Sequence, residues 1–371
     1  MNENNKAYQQ SVKESNMRVV FRLIHRNKMI SRADIKKITL LSASTVSSLV
    51  EELIDDGFVT ECGIKKTKSC GRKPVMLKIN GDGGCFLSLD IQRKHITFEA
   101  FTLDYTLISS FSVDFSDSDN LSEVIIKALN DICKKHRILA ITIGVPGVID
   151  PVNNTLISST VLSLENAKGL YLNISSAFKD IRVFLKNNSG LIALAEKEFG
   201  THKETNNIVS IDINDGVGAG VLIDSSIYDG NGVAGEFGHM SIDFMGKKCK
   251  CGGFGCLELY AGVPAILEQS GFRSVDELSE YLNTTQDYSK LQTTAKALAF
   301  GINNIVNLLD PEVIVIGGKV RMLGDAFLAL VKQYYSSIAF IKKKTIEFSS
   351  ITGNPVTMGA AKYSFDMLFG D

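Results

Sequence analysis

Within eighteen residues the chain places one histidine and three cysteines, His239, Cys249, Cys251 and Cys256. One imidazole nitrogen and three thiolates complete a tetrahedral donor set. Cys-x-Cys-x4-Cys with a histidine upstream is the spacing of a closed structural zinc site, Zn2+ with no open position for a reactant. Two acids, Glu236 and Glu258, bracket the set in the stretches G-E-F-G-H-M and C-K-C-G-G-F-G-C-L-E. A carboxylate accepts from neighbouring hydroxyls, so a metal-braced loop flanked by acids is suited to hold a small polyhydroxylated ligand. Cys62, Cys70, Cys85 and Cys133 are scattered and read as ordinary cysteines.

A loop of this kind needs a scaffold, and 371 residues supply two or three domains. The 44% apolar and 22% charged composition is that of a soluble globular protein. No apolar run approaches the roughly 20 residues of a membrane span. The opening M-N-E-N-N-K-A-Y-Q-Q has no apolar core of a secretory signal, and the expectation is a cytoplasmic protein without membrane contact. Charge is divided unevenly. Residues 1–80 hold fifteen Lys and Arg against eight Asp and Glu, while the remainder is acidic. A basic front on an acidic body implies that the front meets a polyanion.

The front has the pattern of a winged helix-turn-helix. Val19, Val20, Leu23 and Ile24 predict an amphipathic helix over 17–26. Ser31 predicts the cap of a short helix to Ile38, with a turn at Thr39-Leu40-Leu41. Ser42 then caps a third helix with a buried face of Val46, Leu49, Val50, Leu53 and Ile54, closed by Gly57. In such motifs the start of the last helix reaches base edges in the major groove, here with Ala43, Ser44, Thr45, Ser47 and Ser48. Phe58 to Ile79 predicts a hairpin wing whose tip is K-K-T-K-S-C-G-R-K-P. Lys65, Lys66 and Lys68 suit phosphates, and Arg72 in G-R-K-P suits a narrow minor groove.

The body predicts three strands, ending at Ile91, starting at Ile96 and starting at Leu107, then a helix over 121–135 and a strand entering G-V-P-G-V-I-D. Near Asn207 a similar series restarts around N-D-G-V-G-A-G, followed by a helix over 295–309 and the strand V-I-V-I-G-G. The fold class is therefore an N-terminal winged helix-turn-helix on a two-lobed α/β actin-like, ribonuclease-H-like body. The domains are 1–80, a first lobe 81–190 completed by the helix 356–371, and a second lobe 191–355 with the zinc loop and a dimerisation surface.

G-V-P-G-V-I-D, N-N-S…A-L-A-E, G-E-F-G-H-M, the cysteine cluster and N-L-L-D-P-E-V-I-V-I-G-G together resemble the ROK family of sugar kinases and sugar-responsive repressors. The likeness runs through most of the chain. The S-R-A-D-I and G-R-K-P segments resemble the repressor branch. The resemblance implies a sugar-kinase fold and DNA contacts at Ser31, Arg32, Ser42, Ser44, Thr45, Ser47, Lys68, Arg72 and Lys73. It also implies sugar contacts at Asn187, Asn188, Glu236, His239 and Glu258, near the Val145-Pro146-Gly147 loop.

The kinase segments depart from the family pattern. Where kinases carry D-x-G-G-T-K, this chain has D-I-Q-R-K-H from Asp90, with bulky side chains in place of both glycines. Where they carry G-T-G-x-G-x-G, it has Asn214-Asp215-Gly216-Val217-Gly218-Ala219-Gly220, which sets Asp215 where phosphate would lie. Where they carry Asn-Asp, it has Asn187-Asn188, and an amide cannot take the proton from a sugar hydroxyl. The expectation is a non-enzymatic homodimeric repressor, binding a double-stranded operator under the control of a sugar or sugar derivative. The alternatives are an ATP-dependent sugar kinase with an added DNA-binding domain, and a DNA-binding dimer with no ligand.

Overall fold

The first helix, α1 (Glu3–Asn27), begins about four turns before its apolar stripe. The Glu, Lys, Ala and Gln residues of its start are good helix formers, so propensity extends it where periodicity gives no signal. The computed structural model describes residues 3–64, 74–159, 161–165 and 167–370. After a short strand β1 (Ile30–Ser31) come α2 (Arg32–Thr39) and α3 (Ala43–Asp55). The Ser31 hydroxyl accepts from the Asp34 amide at 3.2 Å and Ser42 from that of Thr45 at 3.1 Å, so both caps form. Val46, Leu49, Val50 and Leu53 are buried with Val20, Phe21, Ile24 and Ile35, whereas Ile54 is only half-buried at the rim. Gly57 ends the motif with φ +81°. Strands β2 (Val59–Ile64) and β3 (Val75–Ile79) pair antiparallel, Val59 opposite Ile79, and β1 adds to β3. The wing tip 65–73, with Lys65, Lys66, Lys68, Arg72 and Lys73, lies outside the described residues.

The first sheet is built on β4 (Cys85–Ile91), in which every residue is buried. Five of the seven are apolar, as a strand covered on both faces requires, and the buried polar pair is Ser88 and Asp90. β5 (His95–Thr102) and β6 (Leu107–Asp114) follow as an antiparallel meander. Helix α4 (Leu121–Lys135) is capped by the Asn120 carbonyl, which accepts from Ser122 and Glu123 amides at 3.0 and 3.3 Å. Then come β7 (Ile138–Val145), the hairpin β8 (Val148–Asp150) and β9 (Thr155–Ser158), α5 (Leu170–Ala177) and β10 (Arg182–Asn187). The strand order is β10-β7-β4-β5-β6.

After α6 (Asn188–Phe199) the pattern repeats with β11 (Ile208–Ile213), β12 (Val217–Ile223) and β13 (Ser226–Ile227). Helices α7 (Glu258–Ala261), α8 (Val263–Ser270), α9 (Val275–Thr285) and α10 (Gln292–Leu309) lead to β14 (Val313–Gly317). Helix α11 (Gly324–Ile338), β15 (Thr345–Phe348) and α12 (Pro355–Phe369) close the chain. The order β13-β12-β11-β14-β15 reproduces the first sheet strand for strand. Leu298, Ile302, Phe327, Val331 and Tyr335 of α10 and α11 are buried with Ile211, Ile314 and Ile316 of the second sheet. This doubled topology is the actin-like, ribonuclease-H-like class expected.

Contacts divide the chain into two compact units. One is Met1–Ile143 with Glu165–Leu185 and Ala360–Asp371; the other is Gly144–Leu164 with Lys186–Gly359. These differ from the boundaries expected at 80 and 190. Residues 1–80 fall in with the first sheet because the head is bonded to it. Arg137 donates to the Asp56 and Gly83 carbonyls at 2.8 and 3.2 Å and lies 4.9 Å over the Phe58 ring. Residues 144–164 fall in with the second sheet. There the Ile149 carbonyl presses on Gly232, at a point where any side chain would clash.

Candidate functional site

Strand β13 stops after two residues, and the chain leaves the second sheet to return only at α7. The excursion is tied down at Gly235, where φ is +97° and the Ala219 carbonyl fills the space a side chain would need. The Ala219 amide donates to the Gly235 carbonyl at 2.9 Å. A 3-10 turn over Phe237–His239 then presents the histidine, and bridges Ser241↔Cys256 and Lys248↔Phe254 fold the cysteine loop back on it.

The four expected metal ligands come together. One ligand atom from each of His239, Cys249, Cys251 and Cys256 lies within 4.8 Å of every other. Cys249 Sγ stands 3.8 Å from His239 Nδ1, and Cys251 Sγ 3.5 Å from Cys256 Sγ. A metal–sulfur bond of about 2.3 Å gives a tetrahedral edge of about 3.8 Å, so the donors fit an ion. The sulfurs are too far apart for a disulfide, which needs about 2.05 Å. Burial pushes the Cys256 thiol up to about 12 and also raises Cys249. Cys251 moves the other way, because the Gly253 amide and then the Cys256 thiol stabilise its thiolate. A bound cation would displace protons from this set, and its affinity would rise with pH.

The acids adjoin the same histidine. His239 Nε2 is 3.9 Å from Glu236 Oε2, and Nδ1 is 3.5 Å from Glu258 Oε1, which also accepts from Cys249 Sγ at 3.2 Å. Burial raises the Glu236 carboxyl above its ordinary value; the facing His239 opposes the shift and Glu258 adds to it. The two asparagines sit at the start of α6. Asn187 caps the helix, its carbonyl accepting from Ser189 N at 2.7 Å, while its amide donates to the Gly147 carbonyl at 2.7 Å. This is the expected Val145-Pro146-Gly147 loop, itself held by Ser159 donating to the Pro146 carbonyl at 2.7 Å. Ser189 lies against Gly218 and Gly220 of β12, and Ala219 between them carries the link to Gly235. One strand thus connects the asparagine end to the Glu236–His239–Glu258 end.

The ROK family profile matches residues 86–363. The chain belongs to the ROK family. A xylose repressor of Caldicellulosiruptor bescii is 30% identical, aligned over 96% of this chain and 97% of that protein. The crystal structure of a ROK family transcriptional regulator, a homologue of the Escherichia coli MLC protein, superposes with a TM-score of 0.81 at 26% identity over 97% of both chains. A ROK glucokinase of Streptomyces griseus, solved with glucose and AMPPNP, has a TM-score of 0.65 at 21% identity. It covers 76% of this chain and 99% of its own, a likeness of fold.

Side chains bond to one another in the two segments that begin at Asp90 and run through Asn214. Gln92 Nε2 donates to Asp90 Oδ2 at 2.8 Å. Asn214 Nδ2 donates to Asp212 Oδ2 at 2.6 Å, and Asn214 Oδ1 accepts from the Lys319 amide at 2.9 Å. The second network was not apparent from the sequence, where Asn214 gave no sign of a structural role. The ion pair of Lys186 with Asp229, which pins the excursion beside Asn187, was equally unannounced.

In the head, Ser42, Ser44 and Thr45 share hydroxyl contacts of 2.8 and 2.9 Å at the start of α3, with Ser42 and Ser44 exposed and Thr45 and Ser47 half-buried. Ser31 is a different case. It is 1% exposed and its hydroxyl donates to Asp34 Oδ2 at 2.7 Å, so it fixes α2 and reaches no surface. Arg32 is bound to Glu61 of β2 at 2.7 Å and is oriented by the wing. Lys36 and Lys37 are exposed in the last turn of α2.

Proposed function

We infer that this ROK protein is a DNA-binding transcriptional repressor of sugar-utilisation genes, controlled by a sugar or sugar derivative. The observation that carries the inference is a helical head with the start of α3 exposed, in a chain aligned over 96% of its length with a xylose repressor. The start of α3, with Ser44, Thr45 and Ser47, enters the major groove, and Lys68, Arg72 and Lys73 hold phosphates and the minor groove. Asn187, Asn188, Glu236, His239 and Glu258 bind the sugar hydroxyls, and D-xylose is the first effector to test. His239, Cys249, Cys251 and Cys256 hold a structural Zn2+ that supplies rigidity to the loop carrying both acids. The protein acts as a homodimer on a palindromic operator, in the cytoplasm. Among the described residues no helix is long and apolar enough to cross a membrane.

The closed networks at Asp90 and Asn214, and Asn188 at the position of the kinase base, speak against phosphoryl transfer. The test is a mobility shift on DNA selected in vitro, with and without D-xylose, D-glucose and N-acetyl-D-glucosamine. A sequence-specific complex weakened or strengthened by one sugar is the expected result. No specific complex, or ATP turnover with any of these sugars in a coupled assay, overturns the reading.

A further inference from the structure

Helix α12 is one continuous helix, yet the division between the two compact units falls inside it, between Gly359 and Ala360. Its two ends therefore answer to different neighbours. The first turn, capped by Asn354 through the Val356 amide at 2.9 Å, lies at the asparagine end of the ligand site. Val356 Cγ1 and Asn188 Oδ1 meet at Gly144, each 2.6 Å from where a side chain there would begin. Gly359 sits directly on the Leu191 backbone of α6, with no room for a methyl group between them. A change in the position of Asn188 or the first turn of α6 is therefore felt at α12 as well as at β12, on which Ser189 sits. Close-packed interiors pass such displacements on and do not absorb them.

The last turns meet the DNA-binding head. Phe365 stacks on Phe21 of α1 at 5.8 Å and packs on His25 at 4.3 Å. Phe369 lies 4.4 Å from Phe21 and 5.7 Å from Phe58, the residue that leads into the wing. Arg18 of α1 donates to the Gly370 carbonyl at 3.4 Å. In the middle, the Ser364 hydroxyl is bonded at 2.7 Å to that of Thr142 on β7, the strand that runs on to Gly144. From Val356 to Phe369 the helix is about 20 Å long, and a helix is stiff along its axis.

We propose that α12 is the element that carries occupancy of the sugar site to the winged helix, with Phe365 and Phe369 as its output. The proposal rests on the sugar-responsive reading above and adds the route. Sugar contact at Asn188 shifts the seat of α12, and the far end changes how α1 and the wing are held. The sugar moves the equilibrium only by its difference in affinity for the two seats.

The test uses the full-length protein, an operator duplex selected in vitro on it, and whichever of D-xylose, D-glucose and N-acetyl-D-glucosamine raises its melting temperature most. Operator affinity is measured by anisotropy with and without that sugar, and sugar affinity by calorimetry. In Phe369→Ala and in the milder Phe369→Leu and Phe365→Leu, sugar affinity stays within about twofold of the parent. The sugar-dependent change in operator affinity shrinks from about tenfold or more to under about twofold, the size of a typical coupling removed. Hydrogen exchange of the unmodified protein gives a readout that needs no variant, with sugar altering protection in 360–369 and 18–25. A parent that responds to sugar, with variants that respond equally or with no exchange change in α12, overturns the route alone. A parent whose operator affinity ignores every sugar overturns the sugar-responsive reading and the route together.

Discussion

The two five-stranded sheets have the same strand order, and they part company at the edge strand. In the first, β6 is eight residues long and pairs along β5, with Phe98 and Phe111 stacked at 4.7 Å across them. In the second, the equivalent β13 has two residues, and the chain spends 228–257 on the excursion that carries Glu236, His239 and the cysteines. The last strands of the two sheets show a second contrast. Each is followed by a helix capped by an asparagine, Asn187 for α6 and Asn354 for α12. Asn187 also reaches into the loop at Gly147, while α12 ends in the aromatic cluster of the head. One ladder thus serves as frame in both units, and the units differ where a strand is cut short or a helix is extended.

The largest test of this contrast is at the head end. Phe21 is fully buried among Phe58, Phe365 and Phe369, and Phe21→Ala should cost about 3–5 kcal/mol. A urea titration followed by near-UV signal reads it, and a loss under 1 kcal/mol would mean that the head is not held by this cluster. At the excursion, Cys251→Ser should lower metal content from about one zinc per chain to near zero. Elemental analysis measures this, and the operator affinity of the sugar-free protein should change far less. Glu236→Ala should weaken sugar binding by about 10- to 100-fold, the worth of hydrogen bonds to a charged group. Calorimetry checks it, and unchanged affinity would remove Glu236 from the site. Replacing Ser44 and Thr45 together by Ala should cost operator affinity about tenfold, measured by anisotropy against a scrambled duplex.

The smallest expected effect is a pH dependence. Burial holds His25 below its ordinary value of 6.5; the Leu103 carbonyl, Asp104 and Asp366 work against this, and Lys362 with it. The unfolded chain therefore binds the proton more readily than the folded one. Stability is complete above pH 6.5 and falls as pH drops below it toward the folded value, by at most about 1.4 kcal/mol per pH unit. Melting curves between pH 5 and 8 should show this slope in the parent and lose it in His25→Phe.

Local signals in the chain were enough for much of this. Ser31 and Ser42 were legible as caps because a hydroxyl before an apolar stripe has one cheap use, and β4 was legible because five of its seven buried positions are apolar. The cysteine cluster was legible because metal geometry confines its ligands to a short loop. The burial of Ser31, expected at the DNA, was not legible because sequence shows a hydroxyl's type without showing its burial. The start of α1 was missed because a helix on the polar side of its stripe has no period to detect.

By itself, then, the sequence determined the types of element and the donor set at 239–256, since each depends on residue identity within a few positions. The tertiary structure alone decided which distant residues share a neighbour. That Asn188 and Val356 both close on Gly144, that Phe369 meets Phe21, and that the head joins the first sheet in one unit depend on packing between segments tens to hundreds of residues apart. Apolar side chains are interchangeable in pattern, and only the folded chain specifies which of them touch.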